Sequence, residues 1–308
     1  MNRRRILLIG GGGYLGSQLA NRLASEGQDV ELLVHNQEKT VPPGLPVHVG
    51  GLGNVALLRR ILPSFDTVFH LASGTTPGVS ARDPSLEAEL NLFPTLRFLE
   101  VFQNHSQARL VFISSGGTIY GNPISSPVSE DAPLAPLSFY GAGKVALETF
   151  LTAYAHTQGG RLTILRPSNL YGPGQPHYFG FGVIRTMLQH LLDDSSMQIW
   201  GDGEAVRDFI YIDDLVEACV MSMMDPAPIG IYNVGYGTGY SIRQLVDIVR
   251  AVCHKNLQVE YRQGRKIDVR AIVLDSTRFR AATGWEPRIS LETGISRTWS
   301  WLLSENTQ

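Results

Sequence analysis

Four consecutive glycines, Gly10 to Gly13, stand between an apolar run, Arg5–Ile9, and an amphipathic stretch, Leu15–Glu26, with a fifth glycine at Gly16. A short apolar run of this kind reads as a buried strand. The helical spacing that follows reads as a helix, and Gly27 ends it. A strand that passes through glycines straight into a helix must turn sharply, and a neighbouring strand then returns parallel to it. The rhythm repeats through the first half. Strands are predicted at Val30–Val34, Thr67–Leu71, Leu110–Ser114 and Leu162–Arg166, and helices at Val55–Ile61, Ser85–Phe102 and Tyr140–Thr157. Alternation of this type predicts an α/β fold, a parallel sheet doubly wound by right-handed crossovers with helices on both faces. Pro94 falls inside the predicted Ser85–Phe102 helix, where it should clash with the carbonyl of Leu90 and kink or split it.

After Pro167 the rhythm changes. Tyr171–Phe181 is rich in Gly, Pro and aromatic residues, and helices are expected near Val183–Leu192, at Asp213–Met224 and from Ser241, where Ser241 and Gln244 have capping-box spacing. Residues 1–167 are therefore expected to form the main domain. Residues 168–308 are expected to form mainly a smaller lobe that returns some segments to the main sheet.

Composition closes off several classes. The 308 residues carry 26 basic and 28 acidic side chains, a net charge of −2 that gives no general attraction to nucleic acid or anionic membrane. Two cysteines, Cys219 and Cys253, make no disulfide framework and lack metal-ligand spacing, so no metal is expected and a reduced compartment is the natural setting. The basic start Met1–Arg5 is followed by only Ile6–Ile9 before the glycines, too short for an export signal, and no stretch is apolar enough to span a membrane. The expectation is a soluble, cytoplasmic protein.

The chemistry-bearing motifs sit at the ends of the predicted strands. Gly10, Gly13 and Gly16 form a G-x-x-G-x-x-G spacing, which suits a tight turn, a bare backbone against a pyrophosphate and close packing of helix on strand. The helix start adds free N–H groups and a partial positive charge, so a dinucleotide is expected there. The second strand ends Leu33-Val34-His35-Asn36, with no carboxylate for a ribose 2′-hydroxyl. His35 could bond a 2′-hydroxyl or, protonated, a 2′-phosphate, or it is a surface histidine without a role. NAD and NADP both stay open. Tyr140 and Lys144 are four apart and share a helical face. A neighbouring ammonium lowers a tyrosine pKa and turns a poor base into a usable one.

In order along the chain run Gly10–Gly16, His70-Leu-Ala72, Asn91, Ser114-Ser-Gly-Gly-Thr-Ile-Tyr-Gly121, Tyr140–Lys144, Arg166-Pro-Ser-Asn-Leu-Tyr-Gly-Pro173, Trp200-Gly-Asp-Gly203, Arg207-Asp-Phe-Ile-Tyr-Ile-Asp-Asp-Leu215 and Gly284-Trp-Glu-Pro287. This series resembles the extended short-chain dehydrogenase/reductases, and within them the NAD-dependent epimerase/dehydratase group typified by UDP-glucose 4-epimerases. The resemblance implies a Rossmann domain with a smaller C-terminal substrate-binding lobe. It implies a nucleotide-sugar 4-epimerase with a tightly held nicotinamide cofactor and Tyr140 as the base. Lys144 would hold the nicotinamide ribose. Gly10, Gly13, Tyr14, Leu15, Gly16, His35, Leu71, Ala72, Ser73, Asn91, Ser114 and Pro167 would line the cofactor with Tyr140 and Lys144. Asn169, Arg207, Arg265 and Asp268 would hold the nucleotide sugar, UDP favoured, with Arg207 facing the diphosphate. A homodimer through the Ser85–Phe102 and Tyr140–Thr157 helices is also implied.

Three features depart from the pattern. Gly116 fills the position of the Ser or Thr that normally pairs with the tyrosine, so Ser115, Thr118 or a water would supply the hydroxyl. Gly51 replaces a common adenine-binding Asp, and Gly116-Gly117-Thr118 lacks the carboxylate that dehydratases and decarboxylases of the group need. Other readings of the same residues are a 4-keto nucleotide-sugar reductase, consuming NAD(P)H, and a non-catalytic binding protein.

Overall fold

A computed structural model of the chain describes residues 3–36, 41–104, 108–177, 182–264 and 269–306. Its centre is a seven-stranded, wholly parallel sheet of β1 (Arg5–Ile9), β2 (Asp29–Val34), β3 (Val47–Val49), β4 (Thr67–His70), β5 (Arg109–Ile113), β6 (Arg161–Pro167) and a strand from the second half of the chain. The second half contributes β7 (Asn169–Tyr171), β8 (Met197–Trp200), β9 (Val206–Tyr211), β10 (Gly230–Val234), β11 (Gly239–Ser241), β12 (Val259–Arg262) and β13 (Ala271–Ile272). The sheet order is β3-β2-β1-β4-β5-β6-β10, with β10 on the far edge beside β6. β9 is the hub of a smaller sheet with β7, β11 and β13, and β8 pairs with β12.

The apolar run of β1 shows why the sheet is covered on both faces. Ile6 and Leu8 are buried in one core with Leu19, Leu23, Leu188 and Leu215, whereas Leu7 and Ile9 are buried in a second core with Leu58, Phe98 and Leu147. Successive side chains point to opposite faces, so every residue of the run has to be apolar. Each fully buried Leu or Ile contributes about 1.5–3 kcal/mol by leaving water.

The predicted Ser85–Phe102 helix is split, as Pro94 demanded. It runs as Ser85–Glu87, a π turn Ala88–Leu92, and Phe93–Phe102 with Pro94 in its first turn. The backbone stays right-handed helical across the join, and the wider π turn ahead of Pro94 accommodates its ring and its missing N–H. The capping box also forms: Gln244 N donates to Ser241 Oγ at 3.1 Å and Ser241 N to Gln244 Oε1 at 2.8 Å. Among the described residues no helix is long and apolar enough to cross a membrane.

Candidate active site

Strand order reverses between β1 and β4, which opens a crevice at their carboxyl ends. The glycine turn occupies one lip and Leu71-Ala72 the other. Gly10 has φ +85°, and a Cβ there would lie 2.8 Å from both N and Cα of Ala72 and 3.1 Å from the carbonyl carbon of Leu71. A Cβ on Gly16 would fall onto the carbonyl oxygen of Gly10 and 2.8 Å from Gly11 Cα. Gly13 donates its N–H to Gly10 at 2.9 Å and is the N-cap of the helix Tyr14–Ser25. Having no side chain, it cannot take the first-turn N–H groups, which Tyr14, Leu15 and Gly16 carry. The Tyr14 side chain leaves the turn. Its buried hydroxyl lies where a Cβ on Gly172 would be 3.0 Å away, and burial holds its proton on firmly. His35 follows β2 and packs over Gly51, where a Cβ would be 3.3 Å from its Nδ1.

The helix Phe139–Gln158 starts at Ser138, whose hydroxyl accepts from Gly141 N at 3.1 Å. This start sets Tyr140 and Lys144 one turn apart, with Lys144 Nζ 5.7 Å from the centre of the Tyr140 ring. Lys144 is buried; it donates to the Ile113 carbonyl at 3.1 Å and lies 5.1 Å from the centre of the Phe112 ring. Burial brings its pKa down to about 8, against the opposing pull of Glu87 and Glu148. Burial, with Glu87, pushes Tyr140 up to about 12, while hydrogen bonding with the side chains of Ser115 and Ser73 acts the other way; Ser73 gives its own proton to the Thr75 carbonyl at 3.1 Å.

Of the two side chains that could replace the hydroxyl absent at position 116, Ser115 lies near the tyrosine. Thr118 turns its hydroxyl to the Ser115 carbonyl at 3.2 Å. Ser73 arrives from the end of β4 as a second hydroxyl. Gly116 itself is packed: a Cβ there would lie 2.6 Å from Leu274 Cδ1 and 2.9 Å from the Arg166 carbonyl oxygen.

Ser114 and Asn91 are committed to protein partners. Ser114 donates to Glu148, which receives Arg166 through Nε at 3.1 Å and Nη2 at 2.6 Å. Arg166 continues to Tyr120 Oη at 2.7 Å, and Tyr120 donates to Asn233 at 2.7 Å. Asn91 Oδ1 accepts from Gly74 N at 2.7 Å, and its Nδ2 donates to Thr75 at 2.8 Å and Glu87 at 2.9 Å. Pro167 ends β6, buried opposite Val234.

On the side of the smaller sheet, Asn169 donates to the Asp208 carbonyl at 2.8 Å, and a Cβ on Gly117 would lie 3.5 Å from its amide. Arg207 precedes Asp208 in β9 and donates to the Val206 carbonyl at 2.8 Å. The buried Asp208 carboxylate accepts from Tyr236 N, Gly237 N and Leu274 N at 3.0 to 3.2 Å, and burial pushes it up to about 6. Arg265 and Asp268 lie outside the described residues. Sequence reasoning missed Glu87, Glu148 and Asp208. For two of them a helical signal existed, since Glu148 lies four residues beyond Lys144 and Glu87 four before Asn91.

The NAD-dependent epimerase/dehydratase family matches residues 6–235. The chain belongs to this family. It is an NAD-dependent enzyme of the nucleotide-sugar epimerase type, in line with its motif order. UDP-glucose 4-epimerase of Mycolicibacterium smegmatis is 32% identical over 305 residues, covering 96% of this chain and 97% of that protein. A crystal structure of UDP-glucose 4-epimerase from Thermotoga maritima with UDP-glucose superposes with a TM-score of 0.92 at 30% identity, covering 98% and 99% of the two chains. The Thermus thermophilus UDP-glucose 4-epimerase complex with NAD gives a TM-score of 0.90 at 31% identity, covering 97% and 99%. The bare backbone of Gly10 and Gly16 and the uncapped helix start fit a dinucleotide pyrophosphate.

Proposed function

We propose that this chain interconverts the C4 epimers of a UDP-hexose, and the observation that carries the reading is Tyr140 one helical turn from the buried Lys144, whose Nζ lies 5.7 Å from the tyrosine ring, with the Ser115 and Ser73 side chains near the tyrosine. Residues 1–167 serve the cofactor, together with β10, and 168–308 mainly serve the nucleotide sugar. NAD, when bound, would supply the acceptor and donor of the C4 hydride, with a positive charge on its oxidised nicotinamide ring. Gly10, Gly13 and Gly16 with the N–H groups of Tyr14 and Leu15 hold its pyrophosphate, and Lys144 its ribose. His35, Leu71 and Ala72 border the same crevice.

Tyr140 takes the proton of the C4 hydroxyl and later gives it back. Its own proton is tightly held in the free protein, so Lys144 and the Ser115 hydroxyl stabilise the phenolate that forms. Arg207 binds the diphosphate, a geometry a guanidinium suits, and Asn169 lies beside it. Gripping the diphosphate while leaving the hexose loose lets the oxidised sugar present either face to the same hydride. Gly117 leaves room there.

We also infer a homodimer in the cytoplasm. Leu90 in the π turn, Phe93 just after it and Phe150 on the tyrosine helix are exposed apolar residues on the two helices a dimer would bury. Sedimentation that returns a monomer at working concentrations removes this part. The activity is tested with NAD-loaded protein and UDP-glucose, UDP-N-acetylglucosamine and UDP-glucuronate in turn, by chromatographic separation of the epimers. Epimer formation without net change in cofactor absorbance is expected. Conversion of none of the three, or stoichiometric consumption of reduced cofactor with a 4-keto sugar, overturns the reading.

A further inference from the structure

Glu87 is 7% exposed, and its two carboxylate oxygens are treated differently. Oε2 accepts from Asn91 Nδ2 at 2.9 Å, whereas Oε1 is buried without a hydrogen-bond partner. The side chain lies flat across Gly143. A Cβ on Gly143 would be 2.6 Å from Oε2 and 3.3 Å from both Cβ and Cδ of Glu87. Gly143 belongs to the helical turn that joins Tyr140 to Lys144, so a bare position there lets the carboxylate lie against that turn, where its charge acts on both side chains. A half-satisfied buried carboxylate is costly unless a cation answers it.

The other groups around the pair narrow the choice. From the same helix Glu148 faces Lys144, but it is already paired with Arg166 and Ser114. From β4 His70 faces it as a neutral ring, since burial, with Lys144 adding to it, brings its pKa down to about 3. β5 presents the Phe112 ring and the Ile113 carbonyl, and the loop after β4 presents Ser73 and Thr75, all uncharged. Among the described residues, Glu87 is thus the carboxylate near Lys144 that no arginine answers.

We propose that Glu87 is a positioning residue of this site, the buried counter-charge that keeps Lys144 an ammonium and so keeps tyrosine and lysine in opposite roles. The proposal rests on the preceding reading for what the pair does. Its geometry and charge balance do not depend on any sugar.

The test exploits composition. The chain has only four lysines, Lys39, Lys144, Lys255 and Lys266, so labelling lysine side chains with carbon-13 gives few resonances to assign by NMR. In the NAD-loaded protein, Glu87→Gln removes a negative charge, which disfavours the ammonium. The Lys144 midpoint should fall by about one pH unit or more. Glu87→Asp keeps the charge and should hold the midpoint near the parent. Gly143→Ala puts a methyl where the carboxylate lies and should reproduce the fall, which keeps the proposal open to refutation even if Glu87→Gln folds poorly. If epimerase activity is present, both limbs of its kcat–pH profile should move to lower pH in Glu87→Gln, because a lost negative charge also eases tyrosine ionisation. A merely structural role lowers kcat at every pH and moves neither limb. An unchanged Lys144 titration in Glu87→Gln and Gly143→Ala overturns the proposal. A protein that converts no sugar overturns only the activity, since the titration is read without one.

Discussion

The glycine turn and the tyrosine–lysine site lie at neighbouring strand ends, yet they are made in opposite ways. The turn works through atoms it lacks. Gly10 and Gly16 are where they are because a single carbon would strike Ala72 or the Gly10 carbonyl. Its specification lies within residues 10–16 and the ends of the neighbouring strands they touch, at Leu8, Leu32, Leu33, Leu71 and Ala72. The tyrosine–lysine site works through groups brought from far apart. Glu87, Ser73 and Ser115 reach Tyr140 from three other segments, and Glu148 holds Arg166 behind Lys144. A defect of shape should therefore spoil the first region, and a defect of charge or proton transfer the second.

The largest expected effect separates the two outright. Tyr140→Phe removes the group that carries the proton and should lower kcat by about 10²- to 10⁴-fold. Equilibrium titration with NAD and the thermal midpoint should both stay near the parent. Loss of NAD binding in this variant would mean that the two regions are not separable. Next comes the charge beneath the lysine. Glu148→Gln leaves the 3%-exposed Arg166 without its carboxylate, and breaking a buried pair costs about 3–5 kcal/mol. Chemical denaturation should read that loss, and a variant as stable as the parent would mean Tyr120 and the Glu130 carbonyl suffice to hold Arg166. Smaller again is Gly16→Ala. The added methyl has to displace backbone rather than a flexible side-chain end, an overpacking cost of about 1–3 kcal/mol. It should appear as weakened NAD binding, while kcat at saturating NAD changes little. Unaltered NAD affinity would show that the turn can widen.

The same contrast explains how much was legible beforehand. Strands such as Arg5–Ile9 are buried on both faces, so they announce themselves as continuous apolar runs. The glycine turn is local, so spacing alone placed it. Pro94 gave the helix break because its effect acts on adjacent residues. What could not be read was convergence. Nothing at position 87 distinguishes a buried carboxylate lying on Gly143 from a solvated one, because the contact spans the sheet's connections. Ser73 reads as a cofactor neighbour in the sequence, and its place near Tyr140 follows only from how the segment after β4 meets the tyrosine helix. Glu148 and Asp208 read as ordinary helix and strand charges until Arg166 and three backbone N–H groups are seen around them.

Gly116 tests the comparison at the point where the two regions' rules meet, because a residue in the charged site is there constrained by shape. Its Cβ position is closed by Leu274 Cδ1 at 2.6 Å and the Arg166 carbonyl at 2.9 Å. Leu274 is itself fully buried and fixed through its N–H to Asp208 at 3.2 Å. Gly116→Ser alone should therefore destabilise by overpacking, about 1–3 kcal/mol. Leu274→Ala alone should leave a cavity and cost about 2–5 kcal/mol. Together they should cost less than the sum, with a coupling of about 0.5–3 kcal/mol, since the shortened side chain makes room for the new one. Denaturation of all four proteins measures that coupling. Strict additivity would mean that Leu274 does not close position 116, and the absence of a hydroxyl there would then need an explanation in chemistry rather than in packing.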